Sequence, residues 1–187
     1  MDIVQVRGKD LPAADLEKLV GVWMDTVAAH DTLVVVNDRL DVALATGADG
    51  VHVGRNDLRP EEVRELAPDQ VVIGVSAHDR RELLQAQESG AAYAGLGAFY
   101  ESRTKPEARL LDPHEAGLTD PIPGLAIPVL AIGGITAGRV REVFSVPVVT
   151  GIAVSEAIQG ARDPAEAVAG LRSAIDRAWS DRRESTL

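Results

Sequence analysis

Short runs of apolar, mostly β-branched residues recur along the chain, and each is followed by glycine or polar residues. The seven runs are Ile3–Val6, Leu33–Val36, Gly50–Val53, Val71–Val75, Ala92–Leu96, Pro128–Ile132 and Pro147–Thr150. Because they are apolar almost throughout, rather than at alternate positions only, they are typical of strands covered on both faces. The pattern therefore predicts seven buried strands.

Segments with apolar residues at helical spacing separate most of these runs. The longest cover residues 13–30 and 163–182, and two shorter ones begin near Pro60 and Asp79. Pro60 and Asp79 mark helix starts because helices accept proline in their first turn and favour aspartate at the N-cap. Threonine is also favoured at the N-cap, so Thr136 marks the start of a further helix. Strands that alternate with helices predict a parallel sheet with right-handed crossovers.

The number of strands bears on the fold class. A closed (βα)8 barrel needs eight strands and about 250 residues, whereas this chain has 187 residues and its first run begins almost at Met1. Two α/β architectures stay open: an open doubly wound sheet, or a TIM-type barrel that lacks its first βα unit. No linker divides the chain, so we predict one domain over residues 1–187, with a disordered tail over 182–187.

Composition narrows the classes of function. The net charge is −10, from 29 acidic and 19 basic residues, which argues against a broad nucleic-acid surface. The absence of cysteine excludes disulfides, a thiolate nucleophile and a cysteine-bound metal. No apolar run approaches the ~20 residues of a membrane span, and the N-terminus lacks the pattern of a signal peptide. We therefore expect a cytoplasmic protein that binds neither nucleic acid nor membrane.

Polar and charged residues collect directly after the predicted strands. In chain order they are Gln5, Arg7 and Lys9; Asn37 and Asp38; His52 and Asp57; Ser76 and His78; Ser102, Arg103, Thr104 and Lys105; and Gly133 and Gly134. The carboxyl ends of parallel strands share one edge of the sheet, and that edge carries the site in such folds. We therefore expect these residues on one rim.

Asp38 and Asp57 are candidate metal ligands. Two carboxylates beside Asn37 suit Mg²⁺, an oxygen-seeking cation that usually keeps waters and bridges to phosphates. Helix N-capping is the alternative role, since each aspartate precedes a helical segment. His52 lies between valines, which predicts a packed or hydrogen-bonded strand residue rather than a catalyst.

The segment from Ser102 to Lys105 is the most specific candidate for binding an anion. Lys105 can neutralise phosphate oxygens, and the hydroxyls of Ser102 and Thr104 can donate hydrogen bonds to them. The turn at Gly133–Gly134 offers backbone N–H groups for a phosphate. A solvated basic loop and a simple tight turn are the alternatives.

Taken in order, these motifs resemble the thiamine phosphate synthase family. The matching segments are Gln5-Val6-Arg7-Gly8-Lys9, Asn37-Asp38, "ALATGADGVHVG" with Asp57, "GVSAH" at Gly74–His78, Tyr100-Glu101-Ser102-Arg103-Thr104-Lys105 and "AIGGI" at Ala131–Ile135. The resemblance extends from about Asp2 to the C-terminal helix. It implies an aldolase-type TIM (βα)8 barrel, here apparently without its first βα unit.

The resemblance also implies a reaction. The family is a transferase of thiamine biosynthesis that joins hydroxymethylpyrimidine diphosphate to hydroxyethylthiazole phosphate and releases pyrophosphate. The diphosphate leaves first, and the thiazole nitrogen attacks the pyrimidine methyl cation that forms, so the site must stabilise a departing anion. The implied cofactor is Mg²⁺, the implied partners are the two phosphorylated substrates, and a homo-oligomer stays open.

Roles for individual residues follow from the same resemblance. Asp38 and Asp57 would hold Mg²⁺, and Arg7, Lys105 and Ser76 would be catalytic. Gln5 would face the pyrimidine, and Gly133 and Gly134 would help bind the thiazole phosphate. The residues that would hold the diphosphate are Arg7, Lys9, Asn37, Ser76, Ser102, Thr104 and Lys105.

Two departures from the family pattern leave alternatives open. Glu101 stands where the family has proline, and Glu156 stands where an ungapped alignment expects a serine that helps bind the thiazole phosphate. An isomerase resembling the thiazole tautomerase would share the fold without diphosphate chemistry. A degenerate, non-catalytic ligand-binding homologue would fit Glu156 and the missing first βα unit. The set of cations and carboxylates favours the synthase, because a tautomerase needs no diphosphate clamp.

Overall fold

The computed structural model describes residues 2–104 and 106–184. They contain seven β-strands, and helices separate all consecutive strands except the fifth and sixth, which confirms the predicted α/β class. The strands are β1 Ile3–Val6, β2 Leu33–Asn37, β3 Gly50–Val53, β4 Val72–Ala77, β5 Tyr93–Gly97, β6 Val129–Ile132 and β7 Gly151–Ala153. The α-helices are α1 Ala13–Val27, α2 Leu40–Thr46, α3 Pro60–Leu66, α4 Arg80–Glu88, α5 Val140–Val143, α6 Glu156–Gln159 and α7 Pro164–Glu184, and a 3-10 helix covers Ala137–Arg139.

The chain forms two compact units. One consists of the residues up to Ser76 together with Glu88–Ala92, and the other of Ala77–Gln87 and the residues from Tyr93 onward. The first unit carries the parallel strands β1-β2-β3-β4, and the second carries β5-β6-β7, in sequential order within each unit. The single domain expected from the sequence stays a prediction.

The first unit buries an aliphatic core between its strands and helices. Val34 and Val36 of β2 join Leu16 and Val20 of α1 in one cluster, and none of the four is more than 1% exposed. Val35, between the two valines of β2, is also fully buried. Burial of each such side chain contributes roughly 1.5–3 kcal/mol relative to exposure. The run of consecutive valines is therefore buried on both faces, as its pattern predicted.

The register of the strands brings their carboxyl ends to the same level. Val6 of β1 pairs with Val36 of β2, and Asn37 of β2 pairs with His52 of β3. His52 in turn pairs with Gly74 of β4. The polar residues that follow these strands in the sequence therefore emerge along one edge of the unit.

The prediction for the last strand was wrong: β7 covers Gly151–Ala153 rather than Pro147–Thr150. Pro147 has no backbone N–H to supply to a ladder. The N–H of Val149 donates to the carbonyl of Val146 at 3.1 Å and closes a turn. The ladder with β6 consequently begins at Gly151, opposite Leu130. Val149 is fully buried in that turn, which explains why its apolar segment resembled a strand.

Helix starts follow the predicted signals. Asp79 Oδ1 accepts the N–H of Glu82 at 2.8 Å before α4, and Pro60 is the first residue of α3. Thr136 is the N-cap residue of the 3-10 helix, as predicted, although its side chain makes no capping hydrogen bond. Among the helices described here, none combines the length and hydropathy that crossing a bilayer requires.

Helix α7 extends to Glu184; residues 185–187 lie outside the described residues, and the disordered tail over 182–187 stays a prediction. Arg182 explains the extra helical turn. Its guanidinium donates to the carbonyls of Val149 at 2.8 Å, of Val146 at 3.1 Å and of Phe144. These bonds hold the end of α7 against the turn that precedes β7.

Replacing Arg182 by leucine should lower the free energy of unfolding by about 2–3 kcal/mol, because the carbonyls it serves lose a charged donor. Arg183 is the matched control: it is the next residue and is exposed, so Arg183→Leu should change stability by less than about 0.5 kcal/mol. Urea unfolding followed by circular dichroism measures both. Equal effects of the two substitutions would show that Arg182 does not anchor the helix.

Candidate functional site

Strand β1 presents its polar residues on the face opposite the core. Val4 and Val6 are 8% and 3% exposed, whereas the alternate residue Gln5 and the following Arg7 are exposed. Lys9 lies in the next turn, and its Nζ is 4.0 Å from Oδ2 of Asp38. The end of β1 thus brings one predicted cation to the acidic residue that follows β2.

Asp38 has a backbone conformation that is unusual for a residue with a side chain, with φ 65°. This left-handed region costs roughly 1–2 kcal/mol for most residues, and asparagine and aspartate adopt it most readily after glycine. The turn is fixed from both sides: the N–H of Asp38 donates to the carbonyl of His52, and that of Arg39 to Asn37, each at 2.8 Å. The backbone strain therefore falls on a residue predicted to be functional, as strain often does.

The carboxyl groups of Asp38 and Asp57 are close enough to affect each other's ionisation. Burial and the neighbouring Asp57 raise the pKa of Asp38, against the smaller opposing effects of Lys9 and Asn37. Asp57 is fixed by a hydrogen bond, since its Oδ2 accepts the N–H of Gly54 at 2.9 Å. Two partly buried neighbouring carboxyl groups form a local excess of negative charge that a cation would relieve.

The alternative role for the two aspartates, capping of helices, does not fit this geometry. The N-cap residues of α2 and α3 are Arg39 and Arg59. Asp57 accepts from a residue that precedes it, in a turn, rather than from the first turn of α3. Neither carboxylate is therefore occupied by a helix N-terminus.

The donor atoms beside this pair fit Mg²⁺ better than a transition metal. Asp38 and Asp57 supply carboxylate oxygens, and Asn37 adds an amide; a cavity of about 200 Å³ lies alongside, lined by Gly8, Lys9, Asn37, Asp38 and Arg39. Mg²⁺ typically takes one or two carboxylates and completes its shell with water and substrate phosphates. Within residues 2–104 and 106–184, no group of three or more His, Cys, Asp or Glu is arranged to hold a metal.

His52 contacts a predicted site residue, which sequence reasoning did not anticipate. It is 6% exposed, and its Nε2 is 3.0 Å from Oγ of Ser76. The prediction of a packed or hydrogen-bonded strand residue is confirmed. Its partner follows from register, because His52 pairs with Gly74 and the diagonal neighbour two residues further along β4 is Ser76.

A second group of predicted residues lies in the second unit, after β5. Ser102 Oγ accepts the N–H of Thr104 at 3.2 Å, which leaves the serine proton available to a ligand. Arg103 Nη1 is 3.4 Å from Oε1 of Glu156, in an exposed ion pair that ties this loop to the start of α6. Lys105 lies outside the described residues, and its predicted role stays a prediction.

The two-glycine turn after β6 packs directly against the start of that loop. Gly133 and Gly134 have φ of 98° and 59°. A Cβ on Gly134 would lie 2.3 Å from the carbonyl oxygen of Glu101, and one on Gly133 would lie 2.7 Å from Cβ of Ala98. Both positions therefore require glycine, for conformation and for space.

The predicted site residues thus form one cluster in each unit. The first cluster contains Lys9, Asn37, Asp38, Asp57 and Ser76, with His52 behind Ser76 and with Gln5 and Arg7 on the exposed face of the adjoining strand end. The second contains Ser102, Thr104, Gly133 and Gly134, with Glu156 paired to Arg103. Each cluster follows the carboxyl ends of its own strands, as parallel α/β folds favour.

Comparison with known proteins agrees with this arrangement. The chain matches the model of the thiamine monophosphate synthase family over residues 1–158. It is 37% identical over 173 residues to the thiamine-phosphate synthase of Pyrococcus furiosus, covering 92% of this chain and 82% of that one. It is 40% identical over 169 residues to the thiamine-phosphate synthase of Chlorobium phaeovibrioides, covering 90% and 80%.

A solved structure agrees as well. The thiamine phosphate pyrophosphorylase from Pyrococcus furiosus matches with a TM-score of 0.83 and 35% identity, over 94% of this chain and 83% of that chain. The match confirms the barrel-type α/β fold class over the doubly wound alternative. The chain belongs to the thiamine monophosphate synthase family.

Proposed function

We propose that this protein is a thiamine-phosphate synthase, a transferase that joins hydroxymethylpyrimidine diphosphate to hydroxyethylthiazole phosphate and releases pyrophosphate. Membership of the family supports the activity. The observation that carries the proposal in this chain is that Asp38, with Asp57 as a neighbour, lies 4.0 Å from Lys9 beside a cavity. A pair of acids next to a cation suits the binding of a diphosphate together with a metal ion.

The residues of the first cluster have different roles in binding the diphosphate. Asp38 and Asp57 would hold Mg²⁺, which when bound would neutralise charge on the diphosphate oxygens. Arg7 and Lys9 add positive charge from the end of β1. The amide of Asn37 is a further donor to the phosphate oxygens.

The hydroxyl of Ser76 donates a hydrogen bond to the diphosphate. When His52 carries its proton on Nε2, that N–H donates to Oγ of Ser76 and turns the serine proton outward. The buried histidine is thus a positioning residue for the serine rather than a base.

The chemistry requires little proton transfer. The bond from the pyrimidine methylene carbon to the diphosphate oxygen breaks, and its electron pair leaves with the diphosphate. The thiazole nitrogen then donates its lone pair to the carbon cation. Because no proton is removed from the reacting carbon, the site needs cations that stabilise the leaving group rather than a strong base.

The second cluster suits the phosphate of the thiazole substrate. Backbone N–H groups of the turn at Gly133 and Gly134 face such an anion in this proposal. The family resemblance assigns Ser102, Thr104 and Lys105 to the diphosphate, and we retain that assignment as a prediction.

Glu156 places a negative charge near the proposed thiazole-phosphate site, and its pairing with Arg103 offsets that charge only in part. We expect Glu156→Gln to lower KM for the thiazole phosphate by roughly two- to tenfold, since it removes a like charge and frees Arg103. The free energy of unfolding should change by less than about 1 kcal/mol, because the ion pair is exposed. Steady-state kinetics measure KM for the thiazole phosphate. An unchanged or higher value in Glu156→Gln would show that Glu156 does not lie near the bound phosphate.

The function itself is tested by incubating the purified protein with both substrates and MgCl₂ and separating the products by chromatography. We expect thiamine phosphate only when both substrates are present. A folded protein that forms no thiamine phosphate would contradict the proposal. The tautomerase-like alternative, which the comparisons do not favour, would instead isomerise a thiazole carboxylate phosphate without consuming the diphosphate. A cytoplasmic location and a homo-oligomer stay predictions.

A further inference from the structure

Both carbonyl groups of the turn at Gly133 and Gly134 accept hydrogen bonds from other residues of the second unit. The carbonyl of Gly133 accepts the N–H of Tyr100 at 3.1 Å. The carbonyl of Gly134 accepts Nη1 of Arg139 at 2.7 Å. A backbone donor and a side-chain donor thus fix two consecutive peptide planes.

Fixing the carbonyls also fixes the N–H groups. In a trans peptide the C=O and the N–H of the next residue point in opposite directions. The N–H of Gly134 therefore points away from Tyr100, and the N–H of Ile135 points away from Arg139. Neither N–H donates to another group in the described part of the chain. Two adjacent N–H groups of this turn can therefore donate to an anion.

Arg139 is itself held in place. Its guanidinium carbon lies 4.3 Å from the centre of the Tyr100 ring, within the range of a cation–π contact. Burial, and to a smaller extent the nearby carboxylate of Glu142, raises the pKa of Tyr100 to about 12, so the phenol keeps its proton.

We propose that Arg139 is a positioning residue for phosphate binding: it orients the Gly134–Ile135 peptide so that its N–H faces the phosphate, and the ring of Tyr100 holds Arg139 in that position. This inference rests on the proposed function, in which the turn binds the thiazole phosphate. An arginine suits the role better than a lysine, because its planar guanidinium stacks on an aromatic ring while an edge nitrogen donates sideways.

The kinetic test compares Arg139→Met with Arg141→Met. Arg141 is the matched control, since it lies two residues further on, is 85% exposed and pairs with Asp181 at 3.1 Å. We expect Arg139→Met to raise KM for the thiazole phosphate about tenfold, as loss of one charge-assisted hydrogen bond implies. KM for the pyrimidine diphosphate and kcat should stay within about twofold, as should every constant of Arg141→Met.

Two further variants refine the kinetic test. Tyr100→Phe removes the hydroxyl but keeps a ring beneath Arg139, and it should produce a smaller rise in KM for the thiazole phosphate. Arg139→Lys keeps the charge but not the stacked plane and should lie between Arg139→Met and the unchanged protein; it carries the test if Arg139→Met does not fold. A rise in KM for both substrates alike, or for neither, overturns the positioning role.

A binding measurement separates this inference from the proposed function. Inorganic phosphate is titrated into each folded variant by calorimetry, without substrates or turnover. Weaker binding by Arg139→Met than by Arg141→Met supports the positioning role even if no thiamine phosphate is formed. Equal binding by the two variants, or no binding by the unchanged protein, overturns it.

Discussion

Replacing Asp38 by asparagine will lower the rate of thiamine-phosphate formation at least about 100-fold, the size of effect expected when a group that stabilises a departing anion is removed. Asparagine retains one oxygen but loses the negative charge that would bind Mg²⁺. Initial rates at saturating concentrations of both substrates and of Mg²⁺ measure the effect.

The same substitution will not lower stability. Asparagine adopts a positive φ about as readily as aspartate does, so the turn in which residue 38 has a φ of 65° is preserved. Burial and the neighbouring Asp57 disfavour the ionised form of Asp38, and the substitution removes that repulsion. The free energy of unfolding, measured in urea, should therefore stay the same or rise. A large loss of activity without loss of stability distinguishes a functional residue from a structural one.

Asp41→Asn is the control for this prediction. Asp41 lies three residues further on and pairs with Arg39 at 2.6 Å, and its side chain is 64% exposed. Turnover by Asp41→Asn should stay within about twofold of the unchanged protein, since exposed pairs contribute little. If Asp38→Asn keeps more than a tenth of the turnover, Asp38 does not hold the metal.

Replacing Gly134 by alanine will have the largest effect on the second cluster. The new Cβ would lie 2.3 Å from the carbonyl oxygen of Glu101, and the backbone would have to keep a φ of 59°. Left-handed conformation and displacement of the neighbouring backbone together should lower the free energy of unfolding by about 2–4 kcal/mol. Because the turn must shift, KM for the thiazole phosphate should rise more than KM for the pyrimidine diphosphate.

Gly138→Ala provides the comparison. A Cβ at Gly138 would have no atom within 4 Å, and the residue lies in the 3-10 helix next to Arg139. Its stability should match or slightly exceed that of the unchanged protein, because alanine reduces the entropy of the unfolded chain. Urea unfolding and steady-state kinetics apply to both variants. Equal stability of Gly134→Ala and Gly138→Ala would mean that the turn relaxes without strain.

The strands that could be predicted from the sequence are those whose burial is written in consecutive apolar residues. The valines of β2 are buried on both faces, and the predicted run and the observed strand differ by one residue, Asn37. The apolar run before β7 was wrongly predicted to be a strand, because its buried residues lie in a turn. Hydropathy reports burial, whereas the position of a ladder also depends on backbone donors, and Pro147 has none.

The candidate site was predictable in composition but not in its contacts. Asp38 and Asp57 were identified by residue type and by resemblance, yet their proximity depends on the left-handed turn at Asp38, which no local sequence pattern predicts. The contact of His52 with Ser76 depends on strand register. Arg139 follows the recognisable turn by several residues, and only the folded chain brings its guanidinium to the Gly134 carbonyl.

Calorimetric binding of pyrophosphate, the anion that leaves in the proposed reaction, tests most directly whether the first cluster is a metal-dependent diphosphate site. We expect the unchanged protein to bind pyrophosphate at least about tenfold more tightly with Mg²⁺ than with EDTA, a difference of about 1.4 kcal/mol. Asp38→Asn should bind it weakly in both conditions, and Asp41→Asn should behave like the unchanged protein. Equal affinity with and without Mg²⁺ in the unchanged protein would contradict the account.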